Sequence, residues 1–186
     1  MRTSRIQYLI YTLGFLDLLG VSLILPLILP RVKNLGVSHF AAGAITSIYG
    51  AIQLFSSPAV GRWSDMWGRR PVILVCLFAT AVSYVVLGAS QSLYIIIIGR
   101  VIAGIFKHSQ TLCRALLADV TPSEDRSRVF GTFNATSSMG FIVGPMLGGH
   151  LSELKDGFFL VCNLGAAIFL VDFGKRHILS VSFLSE

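Results

Sequence analysis

Long apolar stretches, separated by short polar segments, run through almost the whole chain. They are too long for buried strands and too uniformly apolar for the one-sided helices of a soluble domain. A bilayer core about 30 Å thick takes roughly 20 apolar residues of helix, and most of the stretches reach that length. The pattern predicts six membrane-spanning helices, at residues 6–30, 41–60, 71–89, 93–120, 129–151 and 157–172.

The predicted fold is an all-α membrane protein, a six-helix bundle over residues 1–173. The sixth stretch is the shortest, because Asp172 interrupts it and Lys175 and Arg176 follow. We interpret residues 174–186 as a short C-terminal tail, atypical or truncated, because the closing apolar residues are too few to cross a membrane.

Composition supports a membrane protein. Only 13% of the residues are charged, against about one quarter in a soluble domain, which argues against a soluble enzyme and a disordered chain. The net charge is +6, but the basic residues form small clusters between apolar stretches rather than one stripe. The expected partner is therefore the lipid bilayer and not nucleic acid.

Lysine and arginine in the short loops predict the orientation. With the N-terminus in the cytosol, nine of them are cytosolic: Arg2, Arg5, Arg62, Arg69, Arg70, Arg126, Arg128, Lys175 and Arg176. Only Arg31, Lys33 and Lys155 are then outside. The bias predicts a multi-pass membrane protein with both termini in the cytosol.

The loop after the second stretch carries the most specific motif. It contains Gly61, Asp65, Gly68, Arg69 and Arg70. Glycines suit a tight turn, and the aspartate can pair with the arginines. We expect ion pairs in this cytosolic turn, with Asp119 at the end of the fourth stretch also pairing with Arg69 or Arg70. The alternative is a basic anchor at the membrane surface.

The fifth stretch contains a string of glycines around one proline. The string comprises Gly131, Gly140, Gly144, Pro145, Gly148 and Gly149. Glycines four apart share a helix face and allow a second helix to approach closely, whereas the proline can bend the helix. A plain packing face explains the spacing of four but not the whole string.

Three cations, Arg100, Lys107 and Arg114, lie seven residues apart in the fourth stretch. In a continuous helix that spacing places them on one face. Charges in the bilayer centre are costly, so we expect the three to face an aqueous cavity or an acid. In the alternative, the outer two reach toward opposite interfaces and only Lys107 is deep.

Asp17 is the acid of the first stretch and lies near its middle. Such a carboxylate must protonate or pair, so we expect it to exchange a proton or to pair with the cations of the fourth stretch. A purely structural pairing remains the alternative. His108 is a further candidate for the proton-linked group, or a polar packing residue.

The second stretch has one polar face. Its members are Thr46, Gly50, Gln53 and Ser57. We interpret the face as lining a cavity in which Gln53 contacts the solute, and a polar seam between helices is the alternative.

The cysteines Cys76, Cys113 and Cys162 all lie within apolar stretches, and we expect them to be small fillers rather than disulfide or zinc ligands. No metal or cofactor site is expected. No phosphate-binding P-loop is present, which argues against ATP coupling.

These motifs resemble the major facilitator superfamily. The loop with Asp65 and Arg69 is similar to the signature between its second and third helices, although Met66 stands where the family usually has arginine. The resemblance implies that the ion pairs of this loop form a cytosolic gate. The glycine string resembles that of the drug:proton antiporter branch, and Asp17 matches the first-helix aspartate of tetracycline antiporters. Arg100 and Gly104 match a fourth-helix motif in which His108 replaces a frequent glycine, and Ser83 stands where tetracycline antiporters carry an acid.

The resemblance implies a secondary transporter that exchanges a small organic solute for protons, with antiport favoured. It also implies that the chain is the N-terminal half of a twelve-helix fold, whose partner is a missing C-terminal half or a second copy. In the alternative, the half-chain inserts without transporting and associates with a full-length relative through the glycine face. A membrane-embedded enzyme using Asp17 and His108 ranks last, because no nucleophile–base pair accompanies them.

Overall fold

The computed structural model describes the backbone of residues 2–184 and the side chains of residues 6–175. This part of the chain is helical and contains no strand. Its helices are α1 (Arg2–Asn34), α2 (His39–Trp67), α3 (Arg69–Gly88), α4 (Leu93–Phe106), α5 (Ser109–Val120), α6 (Arg126–Ser152) and α7 (Gly157–Leu184). Each predicted stretch thus lies on helix, except that the fourth is divided into α4 and α5 and the third ends one residue beyond α3.

Three helices pass the ends that the sequence predicted. α2 continues beyond residue 60 to Trp67, so Gly61 and Asp65, which were predicted to lie in a loop, are on helix. α1 continues through Pro26 and Pro30 to Asn34, because prolines are tolerated in membrane helices when neighbouring groups satisfy the freed backbone. α7 continues past Asp172 to Leu184, so the backbone shows no break at the predicted start of the tail. The side chains of residues 176–186 lie outside the described part of the chain.

Four stretches of the described residues are long and apolar enough to cross a bilayer: Ile6–Asn34, Arg69–Gly88, Leu93–Val120 and Gly157–Lys175. α2 and α6 have 29 and 27 residues, which is sufficient length, but their polar and glycine positions lower their hydropathy. Length and apolarity together therefore support four of the six predicted spans.

α1 lies at the centre of the packing. It contacts α6 along most of its length and α7 on another side, while α3 packs between α7 and α4, and α2 packs mainly on α4. The larger apolar core includes Leu23 and Ile24 of α1 and Phe169 of α7, and a smaller core forms around Phe133 of α6 and Leu117 of α5. The buried cysteines fill gaps among these apolar side chains.

The glycine string explains the close contact of α1 with α6. A Cβ at Gly140 would overlap the carbonyl oxygen of Phe15, and a Cβ at Gly148 would overlap that of Leu23. A Cβ at Gly144 would overlap the Ser22 hydroxyl, which lies 3.2 Å from the Gly140 carbonyl oxygen. Glycine is thus required at three positions spaced by four.

Gly131 and Gly149, by contrast, have open space where a Cβ would stand. The glycine string therefore does not form a single packing face, because these two members point away from α1.

Candidate functional site

The interruption between α4 and α5 shapes the middle of the bundle. α4 has 14 residues and α5 has 12, or about 21 and 18 Å at the helical rise of 1.5 Å, so each crosses only part of a bilayer. Lys107 and His108 join them with non-helical ψ angles of 65° and 11°. Locally, the Lys107 amide donates to Ala103 and the His108 amide donates to Phe106, both at 2.8 Å.

Side chains of α2 donate hydrogen bonds to the backbone carbonyls that lose their helical partners at the interruption. Gln53 Nε2 donates to the Lys107 carbonyl at 2.7 Å, and Ser56 Oγ donates to the Gly104 carbonyl at 3.0 Å. Ser56 Oγ also lies 2.8 Å from His108 Nε2. Gly104 lets the two helices approach, since its Cβ position would be 3.0 Å from Ile52. These contacts therefore stabilise the interruption, because an unsatisfied carbonyl within a membrane is costly.

The interruption also directs Lys107 into the core. Its ammonium nitrogen lies 2.5 Å from Asp17 Oδ1 of α1, and both side chains are at least nine-tenths buried. Ser109 Oγ, at the start of α5, lies 2.5 Å from the same carboxylate oxygen and 3.2 Å from Lys107 Nζ. Asp17 Oδ2 has no hydrogen-bond partner among the described residues. Asp17, Lys107 and Ser109 form a compact buried cluster, which we call the Asp17 cluster.

α7 borders this cluster. The Phe169 ring lies 5.0 Å from Lys107 Nζ, within the range of a cation–π contact. One turn further on, the fully buried Asp172 lines the same small cavity as Asp17 and Ser109. The hydropathy pattern marked Asp172 only as an interruption of the sixth stretch. The rule that acids within membrane helices are functional candidates would have singled it out.

The three cations of the fourth stretch have different environments, so the prediction that they share one face is wrong. Arg100 and Lys107 are buried, whereas Arg114 is exposed and donates to Asn134 Oδ1 of α6 at 3.0 Å. The spacing of seven gives one face only in a continuous helix, and residues 107–108 interrupt it.

Arg100 lies beside a separate cavity of about 120 Å³. Its guanidinium stacks on the Tyr49 ring at 5.0 Å, and Tyr84 and Thr46 also line the cavity. Among the described residues no carboxylate lies within ion-pair distance of Arg100, and its buried Nε has no hydrogen-bond partner. A buried arginine without an acid is costly, which makes the cavity suited to an anionic group.

The loop motif forms ion pairs around Arg69. Arg69 lies 2.7 Å from Asp65 and 3.0 Å from Asp119, and also donates to Ser64 Oγ at 3.0 Å. The expected pairing of Asp119 is thus present. Gly68 has a φ of +91°, which lets α3 begin directly after α2. We call Asp65, Arg69 and Asp119 the Arg69 cluster.

The Arg69 cluster adds little to stability, because its side chains are 26–60% exposed and such pairs are worth about 0–1 kcal/mol. Arg70 and Met66 of the same motif are exposed, and Gly61 has open space around its Cβ position.

The predicted polar face of α2 is only partly a cavity lining. Thr46 borders the Arg100 cavity and Gly50 is exposed, but Gln53 turns to the α4–α5 interruption, with Ser56 rather than Ser57 beside it. Sequence reasoning missed Ser56 and Ser109, because nothing in the sequence marks where α4 ends.

Comparisons with known proteins agree with the motifs. The family model described as Major Facilitator Superfamily matches residues 10–179. Tetracycline resistance protein, class H, of Pasteurella multocida is 35% identical over 176 residues, covering 92% of this chain and 43% of that protein. Major facilitator superfamily domain-containing protein 10 of Bos taurus is 32% identical over 177 residues, covering 80% and 39%. The chain spans less than half the length of these relatives.

A solved structure is also similar. The crystal structure of the human organic anion transporter MFSD10 (TETRAN) matches with a TM-score of 0.80 and 28% identity, over 93% of this chain and 47% of that one. The family match, the sequence relatives and the shared architecture identify the kind of protein. The chain belongs to the major facilitator superfamily of membrane transporters.

Proposed function

We propose that the chain is the N-terminal six-helix half of a proton-coupled secondary transporter of a small organic solute. In this proposal α4 and α5 together form the fourth of six spans, and both termini are cytosolic. The Arg69 cluster then lies at the cytosolic surface. Antiport is the favoured mode, because the glycine string resembles that of drug:proton antiporters.

The Asp17 cluster is the observation that carries the proposal. Burying an aspartate and a lysine is costly, and replacing such pairs by apolar residues is often neutral or stabilising. A pair kept in the middle of membrane helices therefore indicates function rather than stability. Asp17 Oδ1 receives both polar contacts, so Oδ2 is the oxygen that can accept a proton.

Protonation changes the forces within this cluster. A neutral Asp17 carboxyl no longer attracts the Lys107 ammonium, which then needs another partner or another position. Because Lys107 joins α4 to α5, its movement alters the connection between those helices. Proton uptake at one side chain is in this way converted into a change of helix geometry.

The Arg69 cluster is suited to a reversible cytosolic gate. Its pairs are partly exposed and individually weak, so they can break at small energetic cost during transport. Arg69 connects the end of α2 to the end of α5, because Asp65 lies on α2 and Asp119 on α5. Opening the gate therefore frees the end of α2 from the end of α5, and α2 also contacts the α4–α5 interruption through Gln53 and Ser56.

The Arg100 cavity supports an organic anion as the solute class. The guanidinium has no acidic partner among the described residues, and aromatic and apolar side chains surround it. An arginine can form two hydrogen bonds with a carboxylate or a sulfonate. The structurally similar human MFSD10 is itself described as an organic anion transporter.

Proton flux in proteoliposomes tests the proposed function. Liposomes containing the chain and an internal pH dye, with the voltage clamped by potassium and valinomycin, receive benzenesulfonate outside. Antiport predicts an internal alkalinisation that depends on benzenesulfonate and is absent with Asp17→Asn. Internal acidification would indicate symport, and a pH change unaffected by Asp17→Asn would contradict the proposed role of Asp17.

A chain that produces no flux alone but reduces the flux of a co-reconstituted full-length relative would favour the non-transporting alternative. The exposed apolar side chains Met139, Ile142 and Met146 of α6 offer a surface for such an association. The glycine face expected for it does not, because α1 covers Gly140, Gly144 and Gly148.

Anion binding at Arg100 is a separate prediction. We expect Arg100→Gln to weaken benzenesulfonate binding about tenfold or more, because hydrogen bonds to charged groups contribute roughly 1.5–3 kcal/mol. Calorimetric titration in detergent measures the change, with neutral benzenesulfonamide as the control ligand. The exposed Arg114 provides the control variant Arg114→Gln, and equal losses in both variants would contradict the assignment.

A further inference from the structure

We propose that Ser56 and Gln53 of α2 are positioning residues for the Asp17 cluster, and that they act by holding the α4–α5 interruption in the conformation that directs Lys107 to Asp17. The importance of this role rests on the proposed function, in which Asp17 of the Asp17–Lys107 pair takes up and releases the proton. The geometric part is independent of transport.

The contacts occur on both sides of one short connection. Ser56 Oγ donates to the Gly104 carbonyl before the interruption and lies 2.8 Å from the ring of His108 after it. Gln53 Nε2 donates to the Lys107 carbonyl between them. The two α2 side chains, one turn apart, therefore bind the backbone before the lysine and at the lysine itself, and the His108 side chain after it.

The backbone of the connection makes few hydrogen bonds of its own. The Lys107 amide continues the helical hydrogen bonding of α4 to Ala103, the His108 amide closes a tight turn to Phe106, and α5 begins at once with Ser109. Without the α2 contacts, the carbonyls of Gly104 and Lys107 would lose their side-chain donors in a partly buried position, so the backbone would rearrange to find other donors. A rearrangement at Lys107 changes where its ammonium group points.

The same contacts connect α2 to the Asp17 cluster, where the proposed proton coupling takes place. The His108 side chain, which the sequence offered as a proton-linked group, instead connects the interruption to α2 through Ser56. α2 ends in the Arg69 cluster, where Asp65 and Asp119 share Arg69. A movement of α2 when the Arg69 cluster opens would therefore displace the backbone that positions Lys107.

Solid-state NMR tests the inference directly. The chain is reconstituted in lipid with isotope labels at lysine Nζ and aspartate Cγ, and the dipolar contact between the two sites is recorded. The sequence contains four lysines and six aspartates, and only Lys107 and Asp17 form an ion pair of these types among the described residues. The signal lost in Asp17→Asn identifies that contact, and any signal from the adjacent Lys155 and Asp156 remains.

We expect the Asp17–Lys107 contact to be lost or clearly weakened in the double variant Ser56→Ala/Gln53→Met. It should be retained in Ser56→Thr, which keeps the hydroxyl group, and in Ser47→Ala, which removes an exposed hydroxyl from the same helix. Rescue by Ser56→Thr separates positioning from a general effect of altering α2. Circular dichroism confirms that each variant retains its helices.

The outcomes distinguish this inference from the proposed function. Loss of the contact in the double variant with retention in Ser56→Thr supports the positioning role. Retention in the double variant overturns it, and the proposed function is unaffected. Absence of the contact from the unaltered chain overturns the inference and also removes the observation on which the proposed function depends.

Discussion

Replacing Lys107 by methionine is expected to destabilise the chain by about 3–5 kcal/mol, the cost of leaving one partner of a buried ion pair without the other. Asp17 remains buried where α1 contacts the start of α5, and Ser109 is its other described hydrogen-bond partner. Reversible unfolding in mixed micelles measures the change. The exposed Lys155→Met is the matched control, and we expect it to alter stability by no more than about 0.5 kcal/mol.

The double variant Asp17→Asn/Lys107→Met distinguishes a functional role of the ion pair from a structural one. Removing both charges eliminates the desolvation cost, so most of the lost stability should return. The introduced amide can still accept the hydrogen bond of Ser109. Proton-coupled flux should stay absent, because no titratable group is left at either position. A double variant as unstable as Lys107→Met would show that the pair is mainly structural.

Replacing Gly140 or Gly148 by alanine is expected to destabilise the bundle by about 1–3 kcal/mol, the usual cost of overpacking. At both positions the new methyl group meets a backbone carbonyl oxygen of α1, which cannot rotate away as a side chain can. The two helices must therefore separate. The same unfolding measurement reports the cost.

The glycine string contains its own controls. Gly131→Ala and Gly149→Ala add the same methyl group to the same helix at positions with open space, so they should be neutral or slightly stabilising, because alanine favours helix. Gly144→Ala meets the Ser22 side chain, and Ser22→Gly should restore part of its stability. Equal losses at all five glycines would contradict the packing described for α1 and α6.

Much of the architecture follows from the sequence because lipid imposes strong rules. Backbone groups within a bilayer must bond within their own segment, so a long apolar stretch can be assigned to helix with few alternatives. The predicted end of the first helix at Pro30 was wrong, because a proline in a membrane helix need not end it. Inside a bundle, neighbouring groups can compensate for proline, and α1 continues to Asn34.

The interruption of the fourth stretch could not be predicted. Residues 105–110 contain neither proline nor glycine, and the conformation depends on Gln53 and Ser56 from another helix. The error in placing Arg114 follows from this, since its predicted direction assumed a continuous helix. The pairing of Asp17 with a fourth-stretch cation was easier to anticipate, because a buried acid must find a cation or a proton.

Proton coupling in this scheme depends most on Asp17 being a buried carboxylate that takes up and releases a proton. Infrared difference spectroscopy of the chain in lipid, recorded while pH is varied, detects the carbonyl stretch of a protonated carboxyl directly. We predict a band that appears on acidification, is missing in Asp17→Asn and remains in Asp156→Asn, which alters an exposed aspartate. An identical set of titrating bands in the unaltered chain and in Asp17→Asn would contradict this role of Asp17.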